Sequence, residues 1–325
     1  MNTTTHYNIG GNRVLSVAGT NNTFAGVGAG ASNTGQQNTF FGESAGNANM
    51  SGSSNSFFGT NAGNANMSGN NNSFFGTNAG QNNTGTFNSF FGQNAGLNNT
   101  IAGTNAFFGS QAGANNTTGD SNAFFGFQSG LSNTGENSNT FIGALANAAA
   151  TITNATAIGS NASVTRSNSL VLGSINGVNS ATSNTNVGIG IPAPTSVLHI
   201  VSQAEQLITA STNWTGGAWF NLANTDTGGR TWNLISTASA NSEGAGKLLV
   251  RDATGGGAVR MTFNTNGNVG IGTTGPNAKL HVAGGDVAIT TQSNGVILRA
   301  TDGPNCYRVT VNNAGTLSTA AVTCP

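Results

Sequence analysis

Charge is what this 325-residue sequence has least of: 6% of its residues are Asp, Glu, Lys or Arg, and the net charge is zero. Ordinary globular domains carry about 25%. Lysine occurs only at Lys247 and Lys279. Phosphate backbones and anionic lipid surfaces are held by clustered Lys and Arg, so no nucleic-acid partner and no polybasic membrane contact is expected. No run of 18 apolar residues occurs, which argues against membrane insertion. Residues 20–150 contain only Glu43, Asp120 and Glu136 as carboxylates. Calcium-binding β-rolls need acidic residues in every turn, so that class is excluded. A basic start followed by an apolar segment is also missing from the first 23 residues. The expectation is a piece of a longer chain, or export without such a leader.

Cysteine is nearly absent too. Cys306 and Cys324 lie near the C-terminus without a His/Cys cluster, too few ligands for a structural zinc. A disulfide between them suits the extracellular look of the composition, two unrelated thiols being the other reading. No metal, cofactor or catalytic residue is expected.

What is present is glycine, asparagine and phased phenylalanine. Disordered chains are poor in aromatics, yet 16 of the 18 Phe precede residue 144. They follow a unit seen at Asn55–Gly63 and again at Asn72–Gly80, reading Asn-Ser-Phe-Phe-Gly-Thr-Asn-Ala-Gly. A marker glycine recurs at 26, 42, 59, 76, 92, 109, 126, 143, 159 and 173. Four residues before it stand Asn38, Asn55, Asn72, Asn88, Asn105, Asn122 and Asn139. A second glycine recurs from 30 to 130, and a third at 35, 52, 69, 85, 103, 119 and 135. A period of 14–17 residues with several glycines is too short for helical-pair or propeller repeats and fits one turn of a β-coil. The glycines read as corners with positive φ, and the Asn column as a ladder of stacked amides.

Each Phe-Phe pair is a short strand whose rings face opposite ways. The pairs are Phe40 and Phe41, Phe57 and Phe58, Phe74 and Phe75, Phe90 and Phe91, Phe107 and Phe108, and Phe124 and Phe125. One ring of each fills the coil. The other points outward, and leaving it in water forgoes roughly 4–6 kcal/mol as an upper bound. A column of such rings marks an interface, so a second column buried between chains is expected.

From 151 to 178 the rings disappear and the unit shortens to Ala155-Thr-Ala-Ile-Gly-Ser-Asn-Ala and Ser169-Leu-Val-Leu-Gly-Ser. This stretch resembles the head repeats of YadA-like trimeric adhesins. The segment Asn186-Val-Gly-Ile-Gly-Ile-Pro-Ala-Pro-Thr-Ser-Val-Leu-His-Ile200 returns as Asn268-Val-Gly-Ile-Gly-Thr-Thr-Gly-Pro-Asn-Ala-Lys-Leu-His-Val282. Both copies look like the connector of phage tail fibres and related bacterial surface fibres. The resemblance implies an all-β, intertwined homotrimer on a virion, a bacterial surface or an extracellular filament. Its organisation reads as a lead-in (1–19), a parallel β-roll or solenoid (20–178), a connector (183–200), an antiparallel β-sandwich-like knob (201–267), and a second connector with a terminal β segment (268–325). Strands are expected there at Asp286–Thr291, Gly295–Arg299, Tyr307–Val311 and Thr316–Val322.

Several motifs imitate chemistry. Gly42-Glu-Ser-Ala-Gly46 matches a nucleophile elbow, but sister repeats carry Asn or Gln in the serine slot and no helix is expected after it. Gly270–Gly275 matches a dinucleotide fingerprint, but Pro276 follows and a strand comes next. His199 and His281 read as strand packing, a metal on a three-fold axis being the lesser reading. Trp214, Trp219 and Trp232 are the candidate receptor contacts, since aromatics anchor interfaces; as filler, two of the three belong in a core. The expected function is a structural fibre segment attaching to a cell-surface glycan or protein, with adjacent fibre or filament subunits as further partners. A self-assembling filament and a glycan-cleaving tailspike using Asp226 and Asp252 stay open. An ice-binding solenoid needs a flat Thr array, and the slot after the marker glycine reads Glu43, Thr60, Thr77, Gln93, Ser110, Phe127.

Overall fold

A computed structural model describes residues 6–17, 19–202, 208–209, 211–291 and 294–324. The chain divides into two compact units, Met1–Glu205 and Gln206–Pro325. Every element among the described residues is a strand.

The first unit is a β-solenoid. Ten three-residue strands pair in parallel, one per coil: Thr23–Ala25, Thr39–Phe41, Ser56–Phe58, Ser73–Phe75, Ser89–Phe91, Ala106–Phe108, Ala123–Phe125, Thr140–Ile142, Thr156–Ile158 and Leu170–Leu172. Phe40 stands opposite Phe57, Phe57 opposite Phe74, and so on without a slip. An antiparallel hairpin, His6–Ile9 with Asn12–Ser16, pairs antiparallel with the first of these strands. It covers a strand edge that another chain could otherwise extend.

The core of each coil is narrow. The first ring of every pair is fully buried, from Phe40 to Phe124, and Phe24 and Phe141 extend the column. Successive inner rings stack with centroids 4.7–5.0 Å apart. Beside them runs a column of buried alanines at 29, 45, 62, 79, 95 and 112. Larger residues have no room there. A Cβ on Gly46, at φ +54, would lie 2.5 Å from the Phe40 ring, so ring and glycine require each other.

The buried Asn column works differently from a stack of amides. The Asn38 side-chain oxygen accepts from the Asn55 backbone N–H at 2.9 Å, one coil on, and the Asn38 Nδ2 donates to the Gly52 carbonyl at 2.8 Å. The same two bonds recur at Asn55, Asn72, Asn88, Asn105 and Asn122. Each side chain thereby ties two backbones that would be orphaned inside a coil.

Amide-to-amide stacking occurs in a second column that the sequence reading missed. Asn49, Asn66, Asn99, Asn116 and Asn133 each donate to the Asn of the preceding coil, at 2.5–2.8 Å. Coil-length variation is absorbed beside it. In 17-residue coils Asn49, Asn66, Asn99 and Asn116 lie three residues before the carbonyl they bond. In 16-residue coils Asn33 and Asn83 lie two before. The Asn66 side-chain oxygen is left without a partner where the length changes.

The third glycine column needs correcting. The carbonyls that serve the Asn ladder belong to Gly35, Gly52, Gly69, Gly85, Ala102, Gly119 and Glu136. Gly103 and Gly135 are therefore one residue out of register. Positive φ marks the first two glycine columns and not the third. The ladder uses a main-chain oxygen and does not itself require glycine; where glycine stands, the next coil leaves no room for a Cβ, which would lie 1.9 Å from the Gly52 carbonyl at Gly35 and 2.5 Å from the Gly69 carbonyl at Gly52.

The connectors share one register. Val187–Ile189 pairs in parallel with Leu198–Ile200, and Val269–Ile271 with Leu280–Val282. In the second unit Ala218–Ala223, Thr231–Ser236, Leu248–Asp252 and Ala258–Phe263 form an antiparallel meander that continues into the second connector, giving one six-stranded sheet. The expected sandwich is thus a single sheet within one chain. Val296–Arg299, Cys306–Val311 and Leu317–Val322 make a three-stranded antiparallel sheet, with Cys306 and Cys324 disulfide-bonded. Asp286–Thr291 is no strand; Val287 and Ile289 are exposed and find no pairing partner among the described residues.

Truncating one inner ring opens a cavity that neighbouring coils cannot fill. Phe74→Ala is expected to lower stability by about 3–5 kcal/mol in urea unfolding followed by circular dichroism. A loss under about 1 kcal/mol would remove the inner column from the core.

Candidate functional site

Strand alternation sends the second ring of each pair outward. Phe41, Phe58, Phe75, Phe91, Phe108 and Phe125 stack with centroids 4.6–5.2 Å apart and planes within 8°. Their ends are open: Phe41 is 41% and Phe125 39% exposed. Ile142, Ile158 and Leu172 continue the line, also exposed. The result is an apolar stripe along the solenoid, whereas the Asn ladder is interior and fully engaged.

The hydrolase-like and dinucleotide-like motifs dissolve into this architecture. Ser44 has φ 56°, and its sisters Asn61, Asn78 and Asn94 all have φ 57°. Ser44 is a corner residue followed by another coil. Gly270 lies in a strand that pairs in parallel with Leu280–Val282, so no helix N-terminus faces it. His199 Nδ1 accepts from the Thr195 backbone N–H at 3.2 Å. Among the described residues no three His, Cys, Asp or Glu side chains cluster as metal ligands would.

In the second unit the six-stranded sheet has two unlike faces. Trp219, Ile235 and Leu249 are opposite one another across three strands and share one face. Ile235 and Leu249 are fully buried, beneath the loops at 212–217 and 237–246 that flank this face. The alternate residues form the other face. Phe220, Leu222, Leu234, Leu248, Phe263 and Leu280 lie there, each 40–60% exposed. Polar and apolar residues alternate with period two in 221–234 and 246–252, but this pattern does not say which face is covered.

The tryptophans divide accordingly. Trp214 is 61% exposed and Trp219 39%, so two of the three are not core. Trp232, half-buried, belongs to the bare apolar face. Arg251 lies over the Trp219 ring at 5.5 Å and is ion-paired with Glu243. Neither Arg251 nor Glu243 stands out in the sequence, because 24–37 residues separate them from Trp214 and Trp219.

The two carboxylates of the tailspike reading are in different settings. Burial alone would raise the Asp252 carboxyl. Hydrogen bonds from Arg260 and the Thr254 N–H, with the Arg230 charge, outweigh it and hold the group below the ordinary carboxylate range. A general acid needs the opposite displacement. Asp226 sits in an exposed turn, where its side chain accepts from the Thr227 N–H at 2.8 Å. Glu243 is also lowered, by the Ser242 hydroxyl and Arg251 against a burial penalty. In the solenoid, burial pushes Glu136 up, but backbone N–H groups of Thr151, Thr134 and Gly135 hold it low.

No protein-family model matches the chain, and a search of curated proteins returns no match.

All three shifted carboxylates are lowered on folding. Their stabilisation is present above the unfolded value and is lost as pH falls through the folded one. Thermal stability is therefore expected to drop as pH falls below about 4. Asp252→Asn should lower the melting temperature at neutral pH and narrow its difference from acid pH, read by scanning calorimetry. An unchanged difference would show that the Arg230–Asp252–Arg260 cluster does not couple to folding.

Proposed function

We propose that this chain is a non-enzymatic segment of a homotrimeric fibre, a phage tail fibre or bacterial surface adhesin, that projects attachment groups outside the cell. The observation that carries this reading is the pair of bare apolar surfaces, one in each unit. The Phe41–Phe125 stripe, exposed at its two end rings and partly exposed between them, and the Phe220–Leu280 sheet face each line up apolar side chains in register, unlike the singly scattered apolar residues of a soluble monomer. Both repeat in strand register, as surfaces packing against copies of themselves do.

Three copies are favoured by the resemblance of Ala155–Ser174 to trimeric adhesin heads and of both connectors to fibre connectors. The role of the solenoid is then mechanical, and the trimer multiplies weak contacts into avidity. The locked Asp252 and the exposed Asp226 support a binding role over a cleaving one. The hairpin at His6–Ser16 covers one strand edge of the solenoid, which weighs against a filament built by stacking solenoids end to end through that edge.

Light scattering on the purified chain is expected to give three times its 32.3 kDa mass. Replacing Phe75, Phe91 and Phe108 together by Asn should shift the mass to one chain while the β signal in circular dichroism persists. A wild-type monomer stable at micromolar concentration would overturn the assembly.

A further inference from the structure

The loops covering the second unit's sheet build a feature that neither apolar surface explains. Trp214 and Trp219 meet at 48° with centroids 6.3 Å apart, forming two walls. A cavity of about 250 Å³ opens on one side, bounded also by Asn241, Ser242, Glu243 and Arg251. A second, of about 290 Å³, opens on the other side beside Ser211 and Thr212. Both fall just under the ~300 Å³ at which drug-sized pockets begin, room for about one ring each.

The walls are held in place. Asn241 Nδ2 donates to the Gly216 carbonyl at 2.9 Å, and the Ala240 N–H to the Thr215 carbonyl at 2.8 Å. The Gly217 N–H closes a turn onto the Trp214 carbonyl at 3.1 Å. A Cβ on Gly216 would lie 2.5 Å from the Trp214 indole, so the glycine lets that ring lie on the main chain. A large ring is thus fixed in an exposed position where it contributes little to a core. The Arg251 guanidinium lies against the Trp219 ring, 5.5 Å from its centroid.

The polar side is equally specific. Among the described residues, Glu243 and Arg251 are the only charged side chains lining either cavity, and they pair with each other. The lining is therefore neutral overall. An anionic ligand would face the Glu243 carboxylate, and a cationic one the Arg251 guanidinium. A ligand with an apolar C–H face for the indoles and a rim of uncharged hydroxyls meets both requirements.

We infer that the Trp214–Trp219 cleft is a saccharide site taking neutral pyranose rings, one on each side of Trp214. C–H faces stack on the indoles, and hydroxyls on the first ring donate to Glu243 and accept from Asn241. The cleft lies on the sheet face opposite the Phe220–Leu280 surface, so packing that surface against other copies leaves the cleft open. The inference deepens the fibre reading by naming its attachment chemistry.

The test is a titration of tryptophan fluorescence in the full-length protein. The probes are cellobiose, lactose and maltotriose, with sialyllactose and trigalacturonate as acidic counterparts. At least one neutral probe is expected to saturate at millimolar concentration. Trp214→Ala should weaken it about tenfold or more, and Glu243→Gln should weaken it while preserving the shape of the cleft. Far-UV circular dichroism and the scattering mass should stay those of wild type for both variants. Absence of saturation with all three neutral probes overturns the inference, as does tighter binding of an acidic probe. Wild-type affinity in Trp214→Ala also overturns it. Sugar binding by a protein that scatters as a monomer would contradict the trimer and leave the saccharide site standing; a trimer that binds no sugar would do the reverse.

Discussion

A buried amide that must be satisfied from two sides sets the geometry of the solenoid. Each Asn of the ladder accepts from one coil's backbone N–H and donates to a main-chain carbonyl, both at about hydrogen-bond optimum. Leaving either unmade inside the coil would cost about 1–3 kcal/mol. The coils are therefore locked at the spacing of parallel strands, and the Phe rings stack because the backbone fixes them there. A single coil has one ring, one small residue and two amides inside it, far too little to be stable alone. Stability comes from the neighbours above and below.

That same locking generates the outward column. Strand geometry allows no other destination for the second ring of a Phe-Phe pair. Once the inner rings are in register, the outer rings are too, and a stripe of aromatic surface is an unavoidable product of the repeat. The second unit repeats the logic with a twisted sheet: one face is covered by its own loops, the other is apolar and bare. Two units with unrelated folds thus each present an apolar surface, and the proposed assembly would cover both. The saccharide cleft sits on the face that this arrangement leaves free.

Much of the solenoid was legible because its determinants are local. Marker glycines, their spacing, and the inside–outside division of Phe40 and Phe41 follow from period and strand alternation alone. The exchange of Gly103 for Ala102 and Gly135 for Glu136 was not legible, since the ladder reads a carbonyl, which Ala102 and Glu136 supply as well as glycine does. The Asn49–Asn133 column escaped notice because coil-length changes shift Asn33 and Asn83 by one residue. In the second unit, the alternation in 221–234 and 246–252 points to strands, but a second layer was expected where one sheet stands. Which face is covered depends on how the loops at 212–217 and 237–246 fold back and bond to each other, through Asn241 and Gly216, 25 residues apart. The same distance hid the link between Trp219 and Arg251, and with it the cleft.

Coverage of the outward rings in solution is the direct mark of the proposed assembly. Hydroxyl-radical footprinting with mass-spectrometric readout measures this residue by residue on the native material. Phe75, Phe91, Phe108 and Phe220 should be protected relative to the unfolded chain to nearly the same degree as the buried Phe74, while Trp214 is oxidised readily. Oxidation of Phe75, Phe91 and Phe108 at a rate approaching that of Trp214 would show the stripe open to water, and would contradict the central claim.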